Sequence, residues 1–230
     1  MTTNNIVIIP AYNEEEAIGQ VIAEIPKQWV KEIVVVDNNS TDETAKRATL
    51  AGATVVYEPL PAYGRACLRG MQYVKSLADA PDIIIFLDGD HSDYPEQLPE
   101  LIKPIIEQDY DMVIGSRALG EREHGSMTLP QLFGNWLATK LLKILYKVKY
   151  TDLGPFRAIK WQKLLALNME DTTYGWTVEM QLKAVKLKYK TTEVPVRYRR
   201  RIGTSKISGT VKGVVLAGHK IITTIFKYWR

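Results

Sequence analysis

The sequence predicts an α/β protein with a mostly parallel central sheet flanked by helices. Three observations support this. Short apolar runs, at 6–9, 33–36, 83–86 and 112–114, recur along the first half of the chain. Stretches with helical apolar spacing separate them. Most of the runs end in polar, glycine or proline residues. Strands buried on both faces read as continuous apolar runs, and strands alternating with helices build parallel sheets.

The elements follow in order. Residues 6–9 form the first strand, closed by Pro10. Asn13 is placed to cap a helix whose first turn carries Glu14, Glu15 and Glu16, the sign favoured at a positive helix end. Ala17, Ile18, Val21, Ile22 and Ile25 continue that helix. A second strand at 33–36 ends at Asp37, with Ser40 or Thr41 as the next cap. Residues 54–57 make a third strand, 64–77 a helix and 83–87 a fourth strand. Pro95 suits a first helical turn, and Leu98, Leu101, Ile102, Ile105 and Ile106 give the stripe that follows. Residues 112–115 are a fifth strand, 118–129 a polar loop and 132–148 a helix. A turn at 151–157 precedes a short helix, and a further helix runs from 176 to 185. Pro195 makes 192–196 an edge strand at best. A last amphipathic helix runs from residue 210 to the end.

Composition narrows the function. Hydrophobic residues make up 46% and charged residues 24% of the 230, which is ordinary for a globular chain, and one domain is expected. The single cysteine, Cys67, excludes a disulfide framework and a cysteine-based zinc site. His91, His124 and His219 are scattered, so a histidine metal site is not expected. Met1 to Asn5 is polar, and no apolar stretch approaches the ~20 residues a bilayer span needs, so a cytoplasmic protein is expected. The net charge of +4 hides a split. Residues 1–129 hold 21 acidic and 10 basic side chains, a net of −11, and residues 130–230 hold 5 acidic and 20 basic, a net of +15. The second half should therefore meet something anionic: a phosphate, a lipid surface or nucleic acid. No nucleic-acid motif is recognisable, and acidic strand exits have no purpose in such binding.

In a parallel sheet, ligands bind beyond the C-terminal strand ends. The residues there are Pro10, Ala11, Tyr12 and Glu14, then Asp37, then Asp88-Gly89-Asp90, then Arg117. Asp88 and Asp90 leave a buried strand with Gly89 between them, where the backbone can turn and approach a ligand. Two carboxylates held together suit a hard divalent cation, which in turn suits phosphate oxygens. A solvated loop after a strand accounts for the same residues. The chain carries neither a Gly-x-Gly-x-x-Gly after the first strand nor a Walker-type loop, which removes the main support for dinucleotide and P-loop readings. The segment from Arg197 to Lys206, with Arg199, Arg200, Arg201, Gly203 and Ser205, suits a phosphate. Residues 132–148 place Phe133, Trp136, Leu137, Leu141 and Ile144 on one face and Lys140, Lys143 and Lys147 on another. Core packing and contact with an anionic membrane both fit this helix and the last one.

Five stretches together resemble the family 2 glycosyltransferases of GT-A fold, and most closely the dolichol-phosphate mannose or polyprenyl-phosphate glucose synthase group. They are Ile9-Pro10-Ala11-Tyr12-Asn13-Glu14, Val36-Asp37-Asn38-Asn39-Ser40-Thr41-Asp42, Leu87-Asp88-Gly89-Asp90, Gly115-Ser116-Arg117 and Arg200-Arg201-Ile202-Gly203-Thr204-Ser205-Lys206. They occur in the family's order. The resemblance implies an inverting, metal-dependent transfer from a nucleotide-diphosphate sugar, with Mg²⁺ or Mn²⁺ as cofactor and a polyprenyl or dolichyl phosphate as acceptor. It makes 1–129 the nucleotide-sugar half and 130–230 the acceptor half of one domain. Pro10, Ala11, Tyr12 and Glu14 would line the nucleotide pocket, and Asp37 would bond the base. Asp88 would face the ribose or the metal, and Asp90 would hold the metal. Arg117, Arg200 and Lys206, with Ser205 beside them, would meet phosphate. Glu179 falls near the acceptor, as a base if the acceptor is a hydroxyl; an ordinary charged helix residue fits the position equally. A nucleotide-sugar-binding protein without turnover is the alternative from another class. The sequence departs from the family at Ser92, where relatives often carry a further glutamine ligand. It departs again at Gln131 and Gly134, where they carry arginine and serine, and at Gly154-Pro155-Phe156-Arg157, where they carry Ser-Gly-Phe-Arg.

Overall fold

The four apolar runs do form buried strands of one sheet, three of them neighbours and the fourth separated from them by one strand. In the computed structural model, which describes residues 4–203 and 211–229, they belong to β1 (Asn5–Ala11), β2 (Glu32–Asp37), β4 (Ile83–Phe86) and β5 (Met112–Ser116). With β3 (Thr54–Tyr57), β6 (Arg157–Lys160) and β7 (Thr191–Pro195) they make one seven-stranded sheet of order β3-β2-β1-β4-β6-β5-β7. Every pairing is parallel except those of β6, which runs antiparallel between β4 and β5. β7 lies at the edge beside β5, as Pro195 requires. The sequence reading missed β6. It is four residues long, starts and ends on a cation, and begins with the fully buried Arg157. That guanidinium donates to the carbonyls of Leu153, Gly154 and Thr177, fastening the turn before β6 to the helix Trp176–Lys186.

Alternate residues of each strand enter two cores, one on each sheet face. Val7, Ile9, Val35, Ile85 and Leu87 pack against α1 (Ile18–Glu24) and α4 (Leu98–Gln108), with Ala48 of α2 (Thr44–Leu50). Ile6, Ile8, Val34, Val36, Ile84 and Phe86 pack against α3 (Tyr63–Lys75), α5 (Leu129–Tyr146), α6 (Trp161–Ala166) and α7 (Trp176–Lys186). Ile225 of α8 (Val211–Lys227) joins the second core. Three helix starts differ from expectation. Glu14–Glu16 fall in a turn ahead of α1, where Ala17 and Ile18 donate to the Glu14 carbonyl. Asn13 is bound to the loop after β2 instead of capping the helix. The start of α2 is Thr44, after a bend at 41–43, so neither Ser40 nor Thr41 is its cap. α5 begins earlier than expected, on a capping box between Thr128 and Gln131.

The two amphipathic helices answer the core-or-membrane question in both ways. α5 and α8 pack on each other, and the Tyr146 hydroxyl donates to the Ile225 carbonyl at 2.5 Å. Ala138, Leu142 and Ile225 are buried, and Leu137, Leu141, Leu145, Ile221 and Ile222 are half-buried. Leu129, Phe133, Trp136 and Ile144 of α5, and Val215, Leu216 and Phe226 of α8 with Trp229 just beyond it, stay exposed. Among the described residues no helix is long and apolar enough to cross a membrane.

Candidate active site

Because β1, β2, β4 and β5 all point the same way, their C-terminal ends share one edge of the sheet. Asp88 and Asp90 leave β4 at the point where the strand order reverses, with β2 and β3 on one side of β1 and β4 on the other. That is where open parallel sheets hold ligands. A Cβ on Gly89 would lie 3.3 Å from the Pro10 carbonyl oxygen and 3.4 Å from the Ala11 side chain. The glycine therefore allows a close approach between the exits of β4 and β1, and it also lines the smaller of two cavities there.

Two cavities meet at this loop. A cavity of 290 Å³ is walled by Pro10, Ala11, Tyr12, Glu14, Asn38 and Pro61-Ala62. One of 860 Å³ runs between the loop at 125–128, α5, α8 and Tyr198, and Arg117 and Arg200 also line it. Tyr63, Asp88, Asp90, Tyr174 and Arg201 line both. The smaller cavity is rigidly built. The loops after β1 and β2 are laced together: Asn38 N–H donates to the Ala11 carbonyl at 2.8 Å, Asn13 N–H to Ser40 Oγ at 3.0 Å and Glu14 N–H to Thr44 Oγ1 at 2.8 Å. Asp37 is buried and accepts from Ser40 N–H, and it is not among the residues lining either cavity. Its neighbour Asn38, which sequence reasoning passed over, donates to the Leu60 carbonyl at 2.9 Å and accepts from Ala62 N–H at 2.8 Å. One amide side chain thus sets the far wall.

The acidic pair is electrostatically costly. Asp90 Oδ1 accepts from the N–H and hydroxyl of Ser92 at 2.9 and 2.5 Å, and its Oδ2 faces Arg201 Nη1 at 3.0 Å. Asp88 Oδ1 is buried without a hydrogen-bond partner among the described residues. Burial first, and the Asp90 charge second, push the Asp88 carboxyl up to about 7. A third acid lies behind them: both oxygens of Asp93 are buried and unpartnered among the described residues, and burial, then Asp88 and Asp90, push it well above the carboxylate range. An orphaned carboxylate oxygen beside a carboxylate already holding a cation is an environment that fits a divalent cation. Among the described residues no three His, Cys, Asp or Glu side chains are grouped to enclose one, so a bound ion would complete its shell from a ligand.

The remaining predicted residues fall in three places. Arg117 lines the larger cavity, but its guanidinium is forked onto Asp152, with Nε to Oδ2 at 2.8 Å and Nη2 to Oδ1 at 2.6 Å, and it stacks on Tyr198. Burial alone would raise the Asp152 carboxyl; Arg117 overrides it and holds it below the usual range. Arg200 sits at the mouth of the larger cavity, held by Glu123 and the His124 carbonyl. Ser205 and Lys206 lie outside the described residues. Glu179 requires a correction. It is fully buried and lines neither cavity. Its oxygens accept from Glu170 N–H at 3.0 Å, Asp171 N–H at 2.7 Å and the Tyr228 hydroxyl at 2.9 Å, and Lys183 Nζ lies 2.7 Å away. A carboxylate so fully engaged is a brace between α7, the 170–171 loop and the end of α8, not a base waiting for a proton.

Comparison with known proteins agrees with this geometry. Residues 6–165 match the profile of Glycosyl transferase family 2. An uncharacterized glycosyltransferase of Mycobacterium tuberculosis is 32% identical over 227 residues, covering 97% of this chain and 95% of that one. The undecaprenyl-phosphate mannosyltransferase of Micrococcus luteus is 28% identical over 223 residues, 90% of this chain and 89% of its own length. Among solved structures, glucosyl-3-phosphoglycerate synthase from Mycobacterium tuberculosis, in complex with Mn²⁺, UDP and phosphoglyceric acid, matches with a TM-score of 0.78 at 22% identity, over 99% of this chain and 78% of that one. The same enzyme has also been solved with Mg²⁺ and UDP. At that identity the likeness speaks for the fold, which is GT-A. The profile match over most of the chain, and relatives alike from end to end, make this chain a glycosyltransferase of family 2.

Proposed function

We propose that this glycosyltransferase moves a sugar, with inversion, from a nucleotide-diphosphate sugar to a polyprenyl phosphate at a membrane surface. One observation carries the reading: a small cavity between strand exits and a large one walled by α5 and α8 open onto the same two aspartates. The donor fits the smaller, with Pro10, Ala11, Tyr12 and Glu14 against the nucleoside. Asp88 and Asp90 would hold a divalent cation, which when bound offsets charge building on the leaving diphosphate. Relatives of this fold are known with UDP and Mn²⁺ or Mg²⁺, and one full-length relative is named for an undecaprenyl-phosphate acceptor. The acceptor phosphate oxygen is already anionic, so positioning by cations replaces general-base catalysis. That agrees with a site whose one predicted base, Glu179, is locked away. Arg200 and the fixed Arg117–Asp152 pair edge the acceptor cavity, and Ser205 and Lys206 belong to the same basic segment. The acceptor chain would leave along α5 and α8, whose exposed Phe133, Trp136, Phe226 and Trp229 and exposed Lys140, Lys143 and Lys147 suit an anionic leaflet.

The test is a transfer assay with a panel of UDP- and GDP-sugars and Mn²⁺. Undecaprenyl phosphate in anionic liposomes is offered in one arm and 3-phosphoglycerate in another. Sugar should move to the lipid, and the protein should float with the liposomes at low salt. Transfer to phosphoglycerate alone, or no liposome binding at low salt, would overturn the lipid acceptor.

A further inference from the structure

The basic segment after β7 divides its labour unexpectedly. Arg199 and Arg200 turn away from Asp90: Arg199 binds Glu24 and the His91 carbonyl, and Arg200 binds Glu123 and the His124 carbonyl. Arg200 lines the larger cavity, and of the three Arg201 alone reaches Asp90. Its Nη1 lies 3.0 Å from Asp90 Oδ2 and its Nη2 lies 2.6 Å from Glu14 Oε1. The guanidinium therefore spans one carboxylate of the acidic pair and one wall of the nucleotide cavity.

The backbone around it is pinned. Ile202 N–H donates to the Asp90 carbonyl at 3.0 Å and Arg199 N–H to the Ser92 carbonyl at 2.9 Å. The main chain of 199–202 is thus zipped to the loop that carries Asp90, and only the side chain of Arg201 is free to leave. Arg201 occupies the oxygen that a divalent cation would use, since Asp90 Oδ1 is already taken by Ser92. A dication and a guanidinium cannot share Oδ2 without strong like-charge repulsion. If Arg201 turns off Asp90, it needs a new anion, and a nucleoside diphosphate in the adjoining cavity supplies one.

We propose that Arg201 is the resident counter-cation of the metal position and makes metal binding conditional on nucleotide. A divalent ion alone must expel Arg201 with nothing to receive it. The ion and a nucleoside diphosphate together expel it and rehouse it. Coupling of this kind is reciprocal, so metal raises nucleotide affinity by the same factor. The proposal rests on the donor-binding reading above.

Calorimetry separates the two. Mn²⁺ is titrated into metal-free protein alone, and again with UDP or GDP saturating, for wild type, Arg201→Met, Arg201→Gln and Arg201→Lys, each checked for folding by circular dichroism. Loss of the guanidinium should tighten Mn²⁺ binding in the absence of nucleotide about tenfold, the order a charge-assisted contact carries. The factor by which nucleotide improves Mn²⁺ affinity should shrink correspondingly. Arg201→Lys, which keeps the charge, should stay near wild type. Equal or weaker Mn²⁺ binding in both neutral variants, with nucleotide coupling intact in wild type, overturns the role of Arg201 and leaves the donor reading standing. Wild-type Mn²⁺ affinity that neither nucleotide moves overturns both.

Discussion

The two cavities that meet at Asp88 and Asp90 are built in opposite ways. The smaller is made of strand exits, and its walls are tied to each other by backbone and amide hydrogen bonds between the loops after β1, β2 and β3. The larger is made of helices and a glycine-containing loop, and its walls are held from behind, by Glu179 and by the α5–α8 contact. On the proposed function, the cavity laced between strand exits is the donor side and the helix-walled one is the acceptor side. The difference also says where each side is vulnerable.

The largest effect is expected on the acceptor side. Glu179→Ala removes a fully buried carboxylate that pairs with the half-buried Lys183 and accepts from two N–H groups and a tyrosine hydroxyl, so it should cost about 3–5 kcal/mol. Chemical denaturation measures it. Glu179→Gln is the sharper variant, because it keeps the shape and removes the charge. If Glu179 is a brace, the folded Gln variant should retain kcat within a few-fold and lose stability; if it were a base, turnover would collapse with stability nearly intact. On the donor side, Asn38→Ala removes the amide that holds the carbonyl of Leu60 and the N–H of Ala62, and should cost about 1–3 kcal/mol. Its functional mark should be weaker nucleotide binding with unchanged liposome binding. Equal losses on both sides would show that the two cavities are not independently built.

This asymmetry also explains what could be read from the sequence. The donor side was legible because parallel strands buried on both faces leave continuous apolar runs, and such runs point to their own exits: Pro10, Asp37, Asp88 and Arg117. Within that edge, side-chain direction was not legible. Asp37 and Asn38 are adjacent and chemically alike, yet Asp37 turns to its own loop while Asn38 braces the cavity wall. The same ambiguity separates Arg200 from Arg201. Which of two neighbouring arginines reaches Asp90 is decided by the pairing of Tyr198 with Asp93 and of 199–202 with 90–92, a contact across more than a hundred residues. Glu179 was misread because spacing places a residue near a site without saying that its carboxylate is spent. β6 was missed because a four-residue strand opening on a buried arginine shows no strand pattern.

The smallest expected effect tests the acidic pair itself, through pH. In the metal-free protein the Asp88 carboxyl keeps its proton up to about 7, because burial and then Asp90 oppose its charge, whereas in the unfolded chain it loses the proton near 4. Between those values the folded state binds more protons than the unfolded state, so stability falls as pH rises through the window. Asp93, shifted in the same direction, adds to that slope. Acids held low by ion pairs, such as Asp152, titrate below the window and do not oppose it. Metal-free protein should therefore be more stable at pH 6 than at pH 8, by about 1 kcal/mol from Asp88 alone, and Asp88→Asn should flatten the difference. With Mn²⁺ and UDP present the trend should reverse, because protons then compete with the metal for the same carboxylates. Thermal melts at the two pH values, with and without Mn²⁺ and UDP, read both slopes. A metal-free slope of the opposite sign would mean that the two aspartates are already compensated, and that the small cavity needs no cation to complete it.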